Sequence, residues 1–418
     1  MQFSAIEHRS TDNFCYPLNE NELMIGLKTG SDIRRVFIVY GDPFDGSVTP
    51  DGWAWEGKRQ EITRKKDLPY HTWWQVTVSL PYGRCKYCFE LHGQDEGDVR
   101  YCLENGFYTA DELVTLRRIT GNSPGFEFPW LDGAECVRVP DWVPRTVWYQ
   151  IFPDRFCRDT ASQKPNTLPW PAAEDAVTNN EHYGGTLRGI TEKLGYLADL
   201  NITGLYLNPI NVSPSVHKYD TSDYLNIDPA FGSADDLHTL VKEAHARGIK
   251  VMLDGVFNHC GSFHKWLDRE KIYAREGGYA PGAYLTPDSP YRKYFVFADK
   301  RPEAWPDNKS YDGWWDNDTL PKLNYEASPE LAEQILEVGE KWLKPPYQVD
   351  GWRLDVAADL GHSPDYNHSF WQRFRSRVKA VREDALILAE HYGSPASWLN
   401  GREWDSVMNY DGFMDPVS

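Results

Sequence analysis

The stretch VDGWRLDV (349–356) reads as a buried strand, apolar except for charges that a core strand should not tolerate. Arg353 and Asp355 are two residues apart, so both side chains project from the same face of an extended chain. A buried charge is costly unless it is paired, so this spacing implies a purpose. On either side of it, IKVMLDGVF (249–257) carries Asp254 after three apolar residues, with Asn258 and His259 just beyond, and ALILAEHY (385–392) ends its apolar run at Glu390. Three successive strands therefore bring acids to one rim, the carboxyl-terminal face on which parallel barrels place their sites.

The texture around these strands predicts an α/β fold. TVWYQIF (146–152), TGLYLNPI (203–210) and DSVMNYDGF (405–413) complete a set of six buried strands, and helix signals fall between them. Ser233 with Asp236 opens SADDLHTLVKEAHARG (233–248), and Ser328 with Pro329 and Glu330 opens SPELAEQILEVGEKWL (328–343). This is the pattern of a (β/α)8 TIM barrel, for which eight strands are needed. The last two are expected to be missing from this chain, and the natural protein is expected to continue past Ser418, because an open barrel leaves strand edges unpaired. The barrel is read as 145–259 and 326–418. Residues 260–325, rich in Tyr, Trp, Pro, Gly and Asp, are too long for a structureless connection and are read as a small inserted domain after the third strand.

Residues 1–125 differ: short alternating runs such as DIRRVFIVYGDP, TWWQVTVSLPYG and CKYCFELHG are broken by turn signals, predicting an all-β sandwich. The proline-rich segment 126–144 is read as the linker between the two parts.

Composition excludes several classes. Asp and Glu outnumber Lys and Arg by 62 to 44, a net charge of −18, which repels a phosphate backbone and argues against nucleic acid. No uncharged apolar run approaches a membrane span, so no membrane partner is expected. The amino terminus has no secretory pattern, and seven scattered cysteines suit reduced thiols, so a cytoplasmic location is expected. Cys85 and Cys88 form a lone CxxC, short of the four ligands of a structural zinc. Aromatic residues make up 14% of the chain, and their flat faces suit the C–H faces of sugar rings, although most are expected to be core.

Paired carboxylates on neighbouring strands suit glycoside hydrolysis. One attacks the anomeric carbon to form a covalent sugar ester; the other protonates the leaving oxygen and later activates water. Asp355 is the candidate nucleophile and Glu390 the candidate acid/base, with Arg353 keeping Asp355 ionised. A rim of mutually satisfied salt bridges is the structural alternative.

At these residues the chain resembles a known family. DGVFNH (254–259), GWRLD (351–355) and ILAEHYG (387–393) resemble the first three signature regions of glycoside hydrolase family 13, the α-amylase family. LPKLN (320–324) resembles the extra signature of its neopullulanase, cyclomaltodextrinase and maltogenic amylase branch. VPRTVWYQIFPDRF, GLYLNPI and HKYDTSDYLNIDPAFG are similar to that branch in the same order. The likeness covers essentially the whole chain, since the branch begins with a sandwich of carbohydrate-binding module family 34. It implies Asp355 as nucleophile, Glu390 as acid/base and Arg353 as support; it also implies that Tyr219 stacks under the sugar and that His259 hydrogen-bonds it. Asp254, Asn258 and His391 join these as candidate substrate-binding residues.

Three departures stand out. The fourth family signature, whose aspartate stabilises the transition state, has no counterpart; YNHSF (366–370) falls in a helical stretch. Where many relatives have a calcium-binding GGD segment, this chain has GGT ending at Thr186, a weaker hard-cation site, so no cofactor is expected to be required, while weak calcium binding stays open. VAAD after the nucleophile and His391 after the acid leave the acceptor preference undefined. The resulting expectation is a retaining hydrolase of α-1,4 bonds in maltooligosaccharides, cyclodextrins or pullulan, acting as a homodimer on an α-glucan oligosaccharide. A glucanotransferase or isomerase on the same barrel, and a non-catalytic glucan-binding protein, remain as alternatives.

Overall fold

A computed structural model describes residues 1–133, 136, 138–160, 167–170, 176–298 and 310–417. The chain divides into two compact units, Met1–Arg138 and Val139–Ser418.

The first unit is built from two main antiparallel sheets and a small hairpin, Gly46–Thr49 with Gly52–Trp55. One orders its strands as Cys15–Asn19, Glu22–Thr29, Thr72–Ser79 and Arg64–Asp67; the other runs Gly106–Tyr108, Val99–Leu103, Cys85–His92, Arg35–Gly41 and Lys58–Glu61. Alternation explains the core: Trp74, Val76 and Val78 of one strand are buried together with Leu23, Ile25 and Leu27 of its neighbour and with Val36 and Ile38 of the other sheet. Two features depart from the sequence reading. Ala110–Thr120 is a helix, opened by a reciprocal capping box between Thr109 and Glu112 and closed by left-handed Gly121. Phe126–Phe128, read as linker, pairs with Cys85–His92, since Phe126 gains more by joining the buried cluster than by lying in a connection. Cys85 and Cys88 stand three apart in one strand, so their side chains leave opposite faces and do not converge on one ion.

The second unit contains a six-stranded parallel sheet in sequential order: β1 (Trp148–Ile151), β2 (Gly204–Leu207), β3 (Lys250–Gly255), β4 (Gly351–Leu354), β5 (Leu386–Ala389) and β6 (Ser406–Val407). Helices α1 (Ala234–His245), α2 (Pro329–Lys341) and α3 (Pro364–Val381) supply crossovers, and this half-barrel sheet fits a TIM barrel. Strand alternation sorts the side chains. Leu205, Leu207, Val251, Leu253, Trp352, Leu354, Ile387 and Ala389 lie in the large cluster shared with the helices. Tyr206, Met252 and Leu386 form a separate small cluster on the other face, joined by Trp148 and Leu388. Asp254 continues the Met252 face and Glu390 the Leu386 face, so the period of two carries these acids to the inner side.

Two buried carboxylates anchor the opposite end of the strands. Asp350 accepts from Val251 N at 2.8 Å, His245 Nε2 at 2.6 Å, Lys250 Nζ at 2.9 Å and Arg382 Nη2 at 2.6 Å. Asp405 accepts from Ile387 N at 2.9 Å, Arg375 Nη1 at 2.6 Å and Lys379 Nζ at 2.9 Å, which ties β5 to α3.

The stretch 405–413 is less regular than read. Only Ser406–Val407 pair with β5; the chain then winds through Tyr410–Met414 in a wide turn, with Met414 N bonded to Asn409 O. The Asn409 side chain accepts from Gly412 N at 3.0 Å, a local bond that competes with a strand ladder. Among the described residues of 260–325 there is one short helix, Ile272–Glu276, with single turns at Arg292–Tyr294 and Trp314–Asp316. Their apolar side chains, among them Trp266, Leu267, Tyr294, Phe295, Tyr311 and Leu323, belong to the same cluster as the strands and helices around them. Residues 299–309 of that segment lie outside the described residues.

Candidate active site

Asp254 of β3 and Arg353 of β4 are register partners, and Leu388, two residues before Glu390, is the partner of Arg353 on β5. Three neighbouring strands thus deliver their polar ends to one point. Arg353 Nη1 donates to Asp254 at 3.0 and 3.1 Å and to Asp355 Oδ1 at 2.7 Å, while Nη2 lies 2.8 Å from Glu390 Oε2. A single buried guanidinium therefore touches all the acids that the sequence singles out.

The shells differ in depth. The Asp254 side chain is 0% exposed, whereas those of Asp355 and Glu390 retain 9% and 11% and stand nearest to solvent. Tyr206 and Tyr219 both donate hydroxyls to Asp254 Oδ2, the latter at 3.1 Å. Asn208 Nδ2 donates to the Tyr219 hydroxyl at 3.2 Å and its Oδ1 accepts from Gln150 at 2.9 Å, extending the network to β1.

One cation among three carboxylates leaves an excess of negative charge in a buried space. Burial first, and then Asp254 and Glu390, push the Asp355 carboxyl up to about 8 against the pull of Arg353. Burial likewise raises Asp254 despite Arg353 and the tyrosine hydroxyls. The cluster thus retains a proton near neutral pH, a property of the group as a whole.

The loop after β4 completes the arrangement. Val356 sits at φ +38° and ψ +47°, an outlier for a β-branched residue, and in that conformation its N–H donates to Glu390 Oε2 at 3.0 Å. The other carboxylate oxygen, Oε1, accepts from Tyr392 at 3.0 Å and from Tyr410 at 3.4 Å, and these two rings lie 4.5 Å apart.

His259 is buried, and burial holds its imidazole down to about 4, so it is neutral. Nε2 lies 3.2 Å from the Tyr219 carbonyl and must carry the hydrogen; Nδ1 then accepts from Asn258 Nδ2 at 3.1 Å. The sequence reading groups Asp254 and Asn258 with residues that touch substrate. The structure instead puts both behind the surface, Asp254 holding Arg353 and Asn258, at 0% exposed, holding His259. His391 is not brought to the cluster: one residue past inward-facing Glu390, it points the other way, with Nε2 3.2 Å from Ser394 O and its ring beside Trp398 and Trp404.

Sequence reasoning misses Tyr206, Asn208, Tyr392 and Tyr410. The signal for Tyr206 and Tyr392 is the period of two, since Tyr206 is on the inner face and Tyr392 follows Glu390 by two. Tyr410 comes from an irregular turn that no periodicity announces.

At the GGT segment, Thr186 Oγ1 donates to Asp159 at 2.8 Å and accepts from Gly189 N at 2.9 Å, capping the helix Leu187–Glu192. Neighbouring Asp154 accepts from Tyr183 N and Gly184 N at 2.7 and 3.0 Å. YNHSF lies within α3, as expected from its sequence.

Comparisons with known proteins place both units in one family. The family described as alpha amylase, catalytic domain, matches residues 150–417, and that described as alpha amylase, N-terminal ig-like domain, matches residues 1–119. A cyclomaltodextrinase from Geobacillus thermopakistaniensis is 38% identical over 416 residues, 98% of this chain and 64% of the relative. An intracellular maltogenic amylase from Bacillus subtilis is 34% identical over 426 residues, covering 100% of this chain and 65% of the relative. A solved cyclomaltodextrinase structure superposes with a TM-score of 0.67 at 32% identity, covering 98% of this chain and 64% of the other. The chain thus spans a little under two thirds of the length of the relatives it matches. With family matches over both units and the acids of three signature regions gathered on one arginine, the chain belongs to the α-amylase family, glycoside hydrolase family 13, in its cyclomaltodextrinase, maltogenic amylase and neopullulanase branch.

Proposed function

We propose that the protein is a retaining α-glucan hydrolase acting on α-1,4 bonds of maltooligosaccharides, cyclodextrins or pullulan. The observation that carries this is the grip of one guanidinium on both Asp355 and Glu390 at the least buried part of the cluster. Retaining glycosidases hold their two carboxyls about 5–5.5 Å apart, and a shared arginine suits such closeness.

In the proposed reaction, Arg353 fixes Asp355 Oδ1, and Oδ2 attacks the anomeric carbon. The glycosidic C–O bond breaks as Glu390 gives its proton to the departing oxygen, leaving a glucosyl ester on Asp355. Glu390 then takes a proton from water, whose oxygen attacks the same carbon and frees the aspartate. Asp254 with its two tyrosines keeps Arg353 in place.

Asp355→Asn is expected to abolish release of reducing sugar from maltotriose, β-cyclodextrin and pullulan while sugar binding persists; turnover in that variant overturns the assignment. Product analysis at high acceptor concentration separates hydrolysis from transfer. We further propose that 260–325 forms an inserted domain bordering the cleft. No calcium is required, because the Thr186 hydroxyl is already engaged in capping and with Asp159. The sandwich is a carbohydrate-binding-like module, the protein a cytoplasmic homodimer; the name of the intracellular Bacillus subtilis relative supports the location. Light scattering tests the dimer.

A further inference from the structure

We propose that a cavity beside α2 binds a small neutral carbonyl compound, with the ring N–H groups of His264 and Trp266 as its hydrogen-bond donors. The cavity measures about 70 Å³, and none of Asp254, Arg353, Asp355 and Glu390 lines it, so it is distinct from the carboxylate cluster. At roughly 10–15 Å³ for each water-sized group, it holds about five or six such groups, the size of a small ring with one oxygen.

Three parts of the chain meet there. His264 and Trp266 follow β3, Tyr224 comes from the strand Asp223–Ile227, and Ile335 and Val338 come from α2, where a spacing of three puts both on one face. The chain around His264 is wound tightly: His264 N donates to Gly261 O at 3.0 Å and Leu267 N donates to His264 O at 2.9 Å. Trp266 N donates to His264 Nδ1 at 3.1 Å, and that bond fixes the tautomer. Burial holds the imidazole well below its ordinary range, so the ring is neutral and, with Nδ1 accepting, its hydrogen sits on Nε2.

That hydrogen has no taker in the protein. Among the described residues no acceptor meets His264 Nε2 and none meets Trp266 Nε1, although the two residues are only 2% and 4% exposed. Neither atom is sealed among packed side chains; both border open space, and the two rings lie 3.9 Å apart. A buried donor without an acceptor is costly, and two side by side call for an oxygen. A carbonyl oxygen has two lone pairs and accepts from both. Tyr224 spends its hydroxyl on His259 O at 2.7 Å and so offers the cavity only its ring, which with Ile335 and Val338 suits an apolar body. Asp223, Lys265 and Glu337 also line the cavity and none of them is buried; two acids to one base disfavour an anion, to which neutral His264 offers no charge.

The test titrates the whole chain, labelled with ¹⁵N at tryptophan, with cyclopentanone, with methylenecyclopentane of the same shape but no oxygen, and with cyclopentanecarboxylate. The indole N–H cross-peak of Trp266, identified as the one missing from Trp266→Phe, is expected to shift with cyclopentanone and to saturate at about millimolar concentration. His264→Asn keeps an acceptor for Trp266 N but removes the second donor, and is expected to weaken binding about fivefold, the scale of one neutral hydrogen bond. The carboxylate and the hydrocarbon are each expected to bind at least about fivefold more weakly than the ketone. Crystals of the parent soaked in cyclopentanone decide without any variant, the ketone oxygen being expected within about 3.2 Å of His264 Nε2. Water alone in the soaked cavity, an unmoved Trp266 cross-peak, or a hydrocarbon that binds as tightly as the ketone overturns the proposal.

Discussion

Replacing Arg353 with methionine removes the one cation from a group of three buried carboxylates, and the structure sets the size of the effect. Arg353 contacts Asp254, Asp355 and Glu390 at 2.7 to 3.1 Å, and its own side chain is 4% exposed. Breaking a buried pair by deleting one partner costs about 3–5 kcal/mol, because a charge is left uncompensated. Here the acids can escape part of that cost by taking up protons. Asp355 already sits at about 8 with the arginine present, and without it the carboxyls rise further. A folded-state pKa above the unfolded value gives stability that is complete below the unfolded pKa, near 4, and is lost as pH climbs toward the folded one, by up to about 1.4 kcal/mol per unit. Arg353→Met is therefore expected to lower stability by about 3–5 kcal/mol at pH 8 and by only about 1–2 kcal/mol at pH 5. Hydrogen–deuterium exchange of peptides covering Lys250–Gly255, Gly351–Leu354 and Leu386–Ala389 reads the opening free energy of these strands separately from the sandwich. An equal loss at the two pH values, or a loss below about 1 kcal/mol at pH 8, refutes the electrostatic account.

Asp350 has the opposite sign. Burial alone would raise its carboxyl, but the His245 hydrogen bond and the Arg382 charge outweigh it and hold it below the usual range. Its contribution is present above about pH 4 and lost as pH falls below that, so Asp350→Asn should destabilise β3 and β4 by about 3 kcal/mol at pH 7, with the gap from the parent narrowing in acid denaturation. Tyr392→Phe removes the hydroxyl that meets Glu390 Oε1 at 3.0 Å; kcat on maltotriose is expected to fall roughly tenfold, with KM changed by less than about twofold, in steady-state assays. A shift in KM alone would assign that ring to substrate binding.

The acids are legible in the amino-acid string because period-two alternation ties residue number to strand face. Once VDGWRLDV is read as a buried strand, Arg353 and Asp355 must share a side, and Asp254 and Glu390 follow from the apolar runs that end at them. The same rule places His391 on the opposite side from Glu390, which a motif-based assignment overlooks. The capping signal marks the start of α1 because Ser233 and Asp236 bond reciprocally across three residues and need no partner from elsewhere in the chain; at α2 it is Pro329 in the first turn that marks the start, while the Ser328 hydroxyl, expected to cap, donates to Lys293 O at 2.8 Å.

Depth and partnership come from folding. Whether Asp254 and Asn258 meet substrate or stand behind those that do depends on which strand lies alongside, at about 4.7–4.9 Å, and on what covers it, and neither is encoded locally. The hydroxyl contacts of Tyr206 and Tyr410 and the strand at Phe126–Phe128 arise from contacts between residues distant in sequence or from turns without a period, whereas the helix in the sandwich unit rests on a local capping box at Thr109 and Glu112 that the sequence reading passes over. Residue order alone settles which side chains are ionisable and which way each strand turns them. The meeting of three of those carboxylates on one arginine belongs to the folded chain, because only long-range packing converges side chains about a hundred residues apart.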